Sequence, residues 1–137
     1  KNMTTIKRRK FIGTAIALTA GSAAIALPLP AMEEKKQLVH HVFFWLKNPE
    51  SIEDRDLLVQ GLKGLAKIET IRKIHVGVLA STEKRDVVDT SWQVSELMFF
   101  DDEAGQKTYQ DHPIHQAFVK DYSHLWSKVL VYDVAEV

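Results

Sequence analysis

In LVHHVFFWLK (38–47) the apolar residues alternate onto both sides of an extended chain. Leu38, Val42, Phe44 and Leu46 share one side with His40, while Val39, Phe43 and Trp45 share the other with His41. Successive strand side chains point to opposite faces, so this segment reads as a first strand covered on both sides, ending at the Asn48-Pro49 turn. The period then changes. Ser51-Ile-Glu-Asp54 supplies a capping serine with an acidic residue three later, and Leu58, Leu62, Leu65 and Ile68 recur at helical spacing. That predicts an amphipathic helix from Ser51 to about Glu69-Thr70, with Gly61 and Gly64 allowing close approach to a sheet. A second strand is expected at 71–81, a polar loop next, and a third strand at 92–100. Asp101-Asp102 caps a short helix running toward Tyr109, and Pro113 opens another whose face is Ile114, Ala117, Phe118, Asp121, Tyr122 and Leu125. The last strand is expected at 128–137.

The order β-α-β-β-α-β predicts an α+β domain of ferredoxin-like type, an antiparallel four-stranded sheet with helices on one face. Helices on one face cannot cover the other. Yet Phe43 and Trp45, Leu97 and Phe99 give that second face an apolar surface as rich as the one made by Phe44, Leu46, Met98 and Phe100. A second copy of the domain would bury it by symmetry, each sheet closing a barrel with its twin. The expected partner is therefore the chain itself, as a homodimer.

The first thirty residues follow a different pattern. Lys7-Arg-Arg-Lys10 precedes an uncharged apolar run from Phe11 to Leu27, and Pro28-Leu-Pro-Ala31 follows. A basic segment, an apolar run and a small residue before polar sequence make an export signal. Arg8-Arg9 followed by Lys10-Phe11-Ile12 resembles the twin-arginine signal of bacteria, although Lys7 stands where a serine or threonine is usual. The chain thus divides into a signal at 1–31, a linker at 32–37 and a domain at 38–137, with cleavage expected after Ala31 and an exported, periplasmic product. An uncleaved anchor is the alternative, since the apolar run approaches the ~20 residues of a spanning helix. A membrane would be a partner only in that case.

Composition narrows the chemistry. Eighteen basic residues balance eighteen acidic ones, leaving no electrostatic reason to expect nucleic acid. There is no cysteine, which excludes disulfides, thiolate catalysis and thiolate metal sites. No phosphate-binding glycine loop or nucleophile elbow is present, and no cofactor is expected.

Several features across 38–137 together resemble the stress-responsive dimeric A/B barrel (Dabb) family. These are His40-His-Val-Phe-Phe-Trp-Leu-Lys47, Leu62, Leu65 and Ile68, Gly77, Phe100-Asp-Asp102, Tyr132-Asp133 and above all Tyr109-Gln-Asp-His-Pro-Ile-His115. Glu69-Thr70 and Ser91-Trp92 depart from the Pro-Gly and Gly-Tyr pairs common in the family. The resemblance implies a homodimeric α+β barrel with a small apolar cavity between sheet and helices. It also implies that a stress-related role is open, in a family of mixed functions.

The stretch YQDHPIH concentrates the candidate chemistry. Proline is favoured at the first turn of a helix, which makes His112 the cap residue and places His115 in the first turn. The positive helix end disfavours imidazolium, so a neutral His115 could serve as a general base, with Tyr109 as its polar partner. A plant polyketide cyclase of the family has an acid/base pair resembling Tyr109 and His115 in position, but its third-strand histidine is replaced here by Val94. Capping alone also accounts for polar residues at these positions. His40, His75, Phe44, Trp92 and His112 are the candidate ligand-binding residues, although the aromatic residues as a set suit core and interface. His40 and His41 point to opposite faces and cannot share a metal; a set of His40, His75 and His115 lacks a carboxylate at a telling offset, and no metal is expected. Three functions follow: a cavity that binds a small, apolar, oxygen-bearing molecule, a cofactor-independent enzyme for proton transfer or cyclisation, or a structural dimer without a ligand.

Overall fold

The computed structural model describes residues 35–137. The expected signal at 1–31 and the first part of the linker lie outside the described residues. Strand β1 runs over Leu38–Leu46, helix α1 over Ile52–Gly64, β2 over Lys73–Val78 and β3 over Val94–Phe100. Helix α2 follows at Glu103–Asp111, α3 at Pro113–Tyr122 and β4 at Trp126–Ala135. Short 3-10 turns at Leu65–Lys67 and Ser123–Leu125 extend α1 and α3. The sheet order is β2-β3-β1-β4 with every pair antiparallel, a ferredoxin-like α+β fold.

Local chemistry sets the boundaries. The Asp54 N–H donates to Ser51 Oγ (3.1 Å) at the start of α1, and the Gly105 N–H donates to Asp102 Oδ1 (2.8 Å) at the start of α2. Strand β2 is shorter than the expected 71–81. Its ladder with β3 closes at the pair Val78–Val94, where the chain before Val94 bends away from β2 while Gln93 stays bonded to β1. The Gln93 N–H donates to the Phe44 carbonyl (3.0 Å), and the Trp92 indole donates to the Asp89 carbonyl (3.1 Å). Strand β4 begins two residues before the expected Lys128, because its ladder with β1 continues past an irregularity at Trp45/Leu46 to pair Leu46 with Trp126.

The core lies between the sheet and the helices. Leu58, Leu62, Leu65 and Ile68 are buried there against Val42, Phe44, Leu46, Met98 and Phe100. On α3 and its extension the buried stripe is Ile114, Phe118, Tyr122 and Leu125; Ala117 and Asp121 are exposed, so the apolar face is narrower than the sequence pattern suggested. Gly61 serves helix-helix packing instead of the expected sheet contact: a methyl group there would come within 2.8 Å of the Tyr122 ring. Beside Gly64 a methyl group would find open space.

Among the described residues no helix lies on the opposite face of the sheet. Val39, His41, Phe43 and Trp45 of β1 stand beside Leu97 and Phe99 of β3 and Leu130, Tyr132 and Val134 of β4. Most are half-buried by one another, and Tyr132 is 54% exposed. Among the described residues no helix is long and apolar enough to cross a membrane.

Candidate functional site

The polar groups of the interior gather where α2 hands over to α3. His112 ends one helix and begins the next: its N–H donates to the Tyr109 carbonyl (3.1 Å), and its Nδ1 accepts from the Ile114 N–H (3.1 Å). Because Nδ1 accepts, the remaining proton sits on Nε2, which faces Glu69 Oε2 at 3.4 Å. His112 Nδ1 is thus engaged in holding the helix junction, while Nε2 faces the exposed Glu69 carboxylate.

Pro113 starts α3 and turns His115 back over the preceding helix. The His115 Nδ1–H donates to the Gln110 carbonyl (3.0 Å), which leaves Nε2 with its lone pair unbonded. Its ring lies 4.5 Å from that of Tyr109, centre to centre. Burial pushes the His115 pKa down from its ordinary value, and the nearby His40 adds to this; the Gln110 carbonyl opposes both. Desolvation, rather than the helix end invoked from sequence, is the leading cause of its neutral form.

Tyr109 is 1% exposed and sits against Phe100 on one side and His40 on another, with ring centres at 5.4 and 5.5 Å. His40 projects from the helix side of β1 and places Nδ1 2.6 Å from Asp133 Oδ1, its cross-strand neighbour on β4. Glu96 of β3, in phase with Val94 and Met98, is buried on the same side and lies within hydrogen-bonding reach of the Tyr109 hydroxyl. Burial pushes the Glu96 pKa up to about 8, with Tyr109 opposing the shift. The Tyr109 hydroxyl is pushed well up, first by burial and then by the Glu96 carboxyl beside it.

The helix side of the sheet thus brings together the buried His40, Tyr109 and Glu96, with the half-buried His115 and the exposed Asp133 at its edge. Glu96 was not singled out from sequence. The available signal was an acidic residue in the apolar phase of a strand, between Val94 and Met98. Phe44 lies on the same side of the sheet, packed against Trp126 at 5.1 Å between ring centres. His75 and Trp92 do not join this group. His75 alternates onto the helix-free face, opposite Leu97, so it cannot meet His40 or His115 across the sheet. Trp92 lies on that face too, 5.1 Å from Phe43 between ring centres, and both line a cavity of about 380 Å3 with Trp45, Leu130 and Tyr132. Among the described residues no group of three or more His, Asp or Glu residues is placed to hold a metal ion.

A family model described as the stress responsive A/B barrel domain (Dabb) matches residues 38–136. Among solved structures, the chain is similar to a Dabb family protein with a ferredoxin-like fold from Mesorhizobium loti. Identity is 29% and the TM-score 0.60, over 74% of this chain and 98% of that one. It is also similar to a dimeric protein of unknown function and ferredoxin-like fold from Bacteroides fragilis, at 25% identity and TM-score 0.58, over 73% of this chain and 96% of that one. A hydroxynitrile lyase from Passiflora edulis shares the fold at 16% identity and TM-score 0.63, over 75% of this chain and 95% of that one. No curated protein matches the chain.

Proposed function

Since the chain belongs to the stress responsive A/B barrel family, we propose that it works as a homodimer whose interior, between sheet and helices, holds a small apolar molecule bearing oxygen. The observation that carries this reading is the half-buried His115 ring laid against Tyr109, which is itself buried in the apolar core. Among the described residues the His115 Nε2 has no partner, while its Nδ1 is held by Gln110. Helix capping accounts for His112, but it does not account for a histidine ring laid over a buried tyrosine. The apolar face left bare by the helices supports the dimer, as does the dimeric state of the Bacteroides relative.

Native mass spectrometry of protein purified from its own producing cells tests the binding. The expected result is a copurifying neutral small molecule, lost from the His115→Ala variant while the dimer and its thermal transition persist. A His115→Ala variant that unfolds would assign His115 to the fold instead. Mass measurement of the same material tests the expected export step, through an N-terminus at Met32.

A second reading is favoured by the state of His115. A neutral imidazole with one nitrogen fixed and the other free is suited to take a proton from a bound substrate, and Tyr109 could orient the substrate's oxygen. In this reading the protein is a cofactor-independent enzyme for proton transfer or cyclisation. Solvent deuterium exchange into a bound carbonyl compound, measured for wild type and His115→Ala, separates turnover from binding alone.

A further inference from the structure

The helix-facing side of β3 holds an acidic group that the fold does not neutralise. Glu96 pairs across the sheet with Val42 on β1 and Val76 on β2, and its neighbours in phase are Val94 and Met98. It is 2% exposed, takes part in no ion pair among the described residues, and its Oε2 has no hydrogen-bond partner. Buried polar groups nearly always find partners, and an exception calls for a role. Leucine or valine at this position would have completed the apolar face.

We propose that Glu96 is the polar anchor of the interior site: its free carboxyl oxygen, set beside Tyr109, donates a hydrogen bond to a carbonyl oxygen of the bound molecule. This rests on the reading of the interior as a binding site and adds the class of ligand. Burial keeps the carboxyl protonated at neutral pH, and the Tyr109 hydroxyl within reach supplies a donor to its other oxygen. The proton on Oε2 is then the donor left for a guest. His115, its ring 4.5 Å from that of Tyr109 between centres, offers an acceptor at Nε2. A donor and an acceptor that both neighbour Tyr109 suit a small hydroxy-carbonyl compound better than a hydrocarbon or a charged acid.

The test uses two probes that differ in the carbonyl alone, 4-hydroxyacetophenone and 4-ethylphenol, titrated into the whole chain and followed by NMR. Wild type at pH 6.5 is expected to prefer the ketone about tenfold, the worth of one well-placed hydrogen bond. Glu96→Leu should erase that preference. Glu96→Gln keeps a donor of the same size and should retain the preference to within about threefold. Binding of both probes with equal affinity, or a preference that survives in Glu96→Leu, overturns the anchor while leaving the interior site standing. Binding of neither probe overturns both.

Discussion

At neutral pH burial holds the Glu96 carboxyl and the His115 imidazole uncharged, although it moves their pKa values in opposite directions. The consequences for stability therefore differ in sign. Between about pH 4.5 and 8 the folded protein retains a proton on Glu96 that the unfolded chain releases, so stability falls as pH rises through this window and the loss is complete above 8. The slope approaches about 1.4 kcal/mol per pH unit. Urea unfolding of wild type and Glu96→Gln across that range should show the variant free of this decline; parallel curves would mean that Glu96 is not protonated in the fold. His115 acts the other way. Its depressed pKa adds stability that is fully present above 6.5 and is lost on acidification, and its ring carbons in NMR should titrate below 6.5. His115 and Tyr109 were legible in the sequence because a proline fixes the helix start between two histidines. Glu96 was not, since a single acidic residue in an apolar strand carries no motif. Its meaning appears only when α2 covers it.

At the scale of elements, most of the fold could be read from periodicity. The leucines of α1 and the two-sided alternation of β1 and β3 fell where expected. Strand ends did not, because they depend on what the neighbouring chain does with its hydrogen bonds; before β3 begins, Gln93 bonds to β1 alone and the Trp92 indole to the Asp89 carbonyl. The two glycines of α1 show a second limit, since identical residues in one helix take different roles. Gly61→Ala places a methyl group against the Tyr122 ring and should destabilise the protein by roughly 1–3 kcal/mol. Gly64→Ala meets nothing and should stabilise it by up to about 1 kcal/mol through helix propensity. Thermal unfolding of the pair is the measurement, and equal shifts would refute the contact with α3. His112→Ala removes the cap that accepts the Ile114 N–H and should cost about 1 kcal/mol. Through the displaced start of α3 it should also disturb the His115 resonances.

For the whole molecule, the decisive feature is a sheet with two apolar faces and helices enough for one. The helix side is closed by α1, α2 and α3 over β1 and β3, whose apolar residues there are almost fully buried, while Val78, Val129 and Val131 on the edge strands stay exposed. The other side sets Phe43, Leu97, Phe99 and Leu130 beside Trp45 and Tyr132 on adjacent strands, a continuous surface of the kind that marks an interface. Leu97 lies near its middle, between His41 of β1 and His75 of β2, and it takes no part in the buried core. A charge at this position should leave the protomer's fold largely intact and act on association alone. In a two-fold dimer it would enter the interface twice, and burying unpaired charge costs several kcal/mol per group. Leu97→Glu should therefore raise the dimer dissociation constant at least about a hundredfold, read by light scattering as a halved mass at micromolar concentration. Its far-ultraviolet circular dichroism should match wild type. If the variant remains a dimer, the second copy sits elsewhere, and the bare face needs another cover. The interior around Glu96, Tyr109 and His115 would be unaffected by that result, because the sheet itself separates the two surfaces.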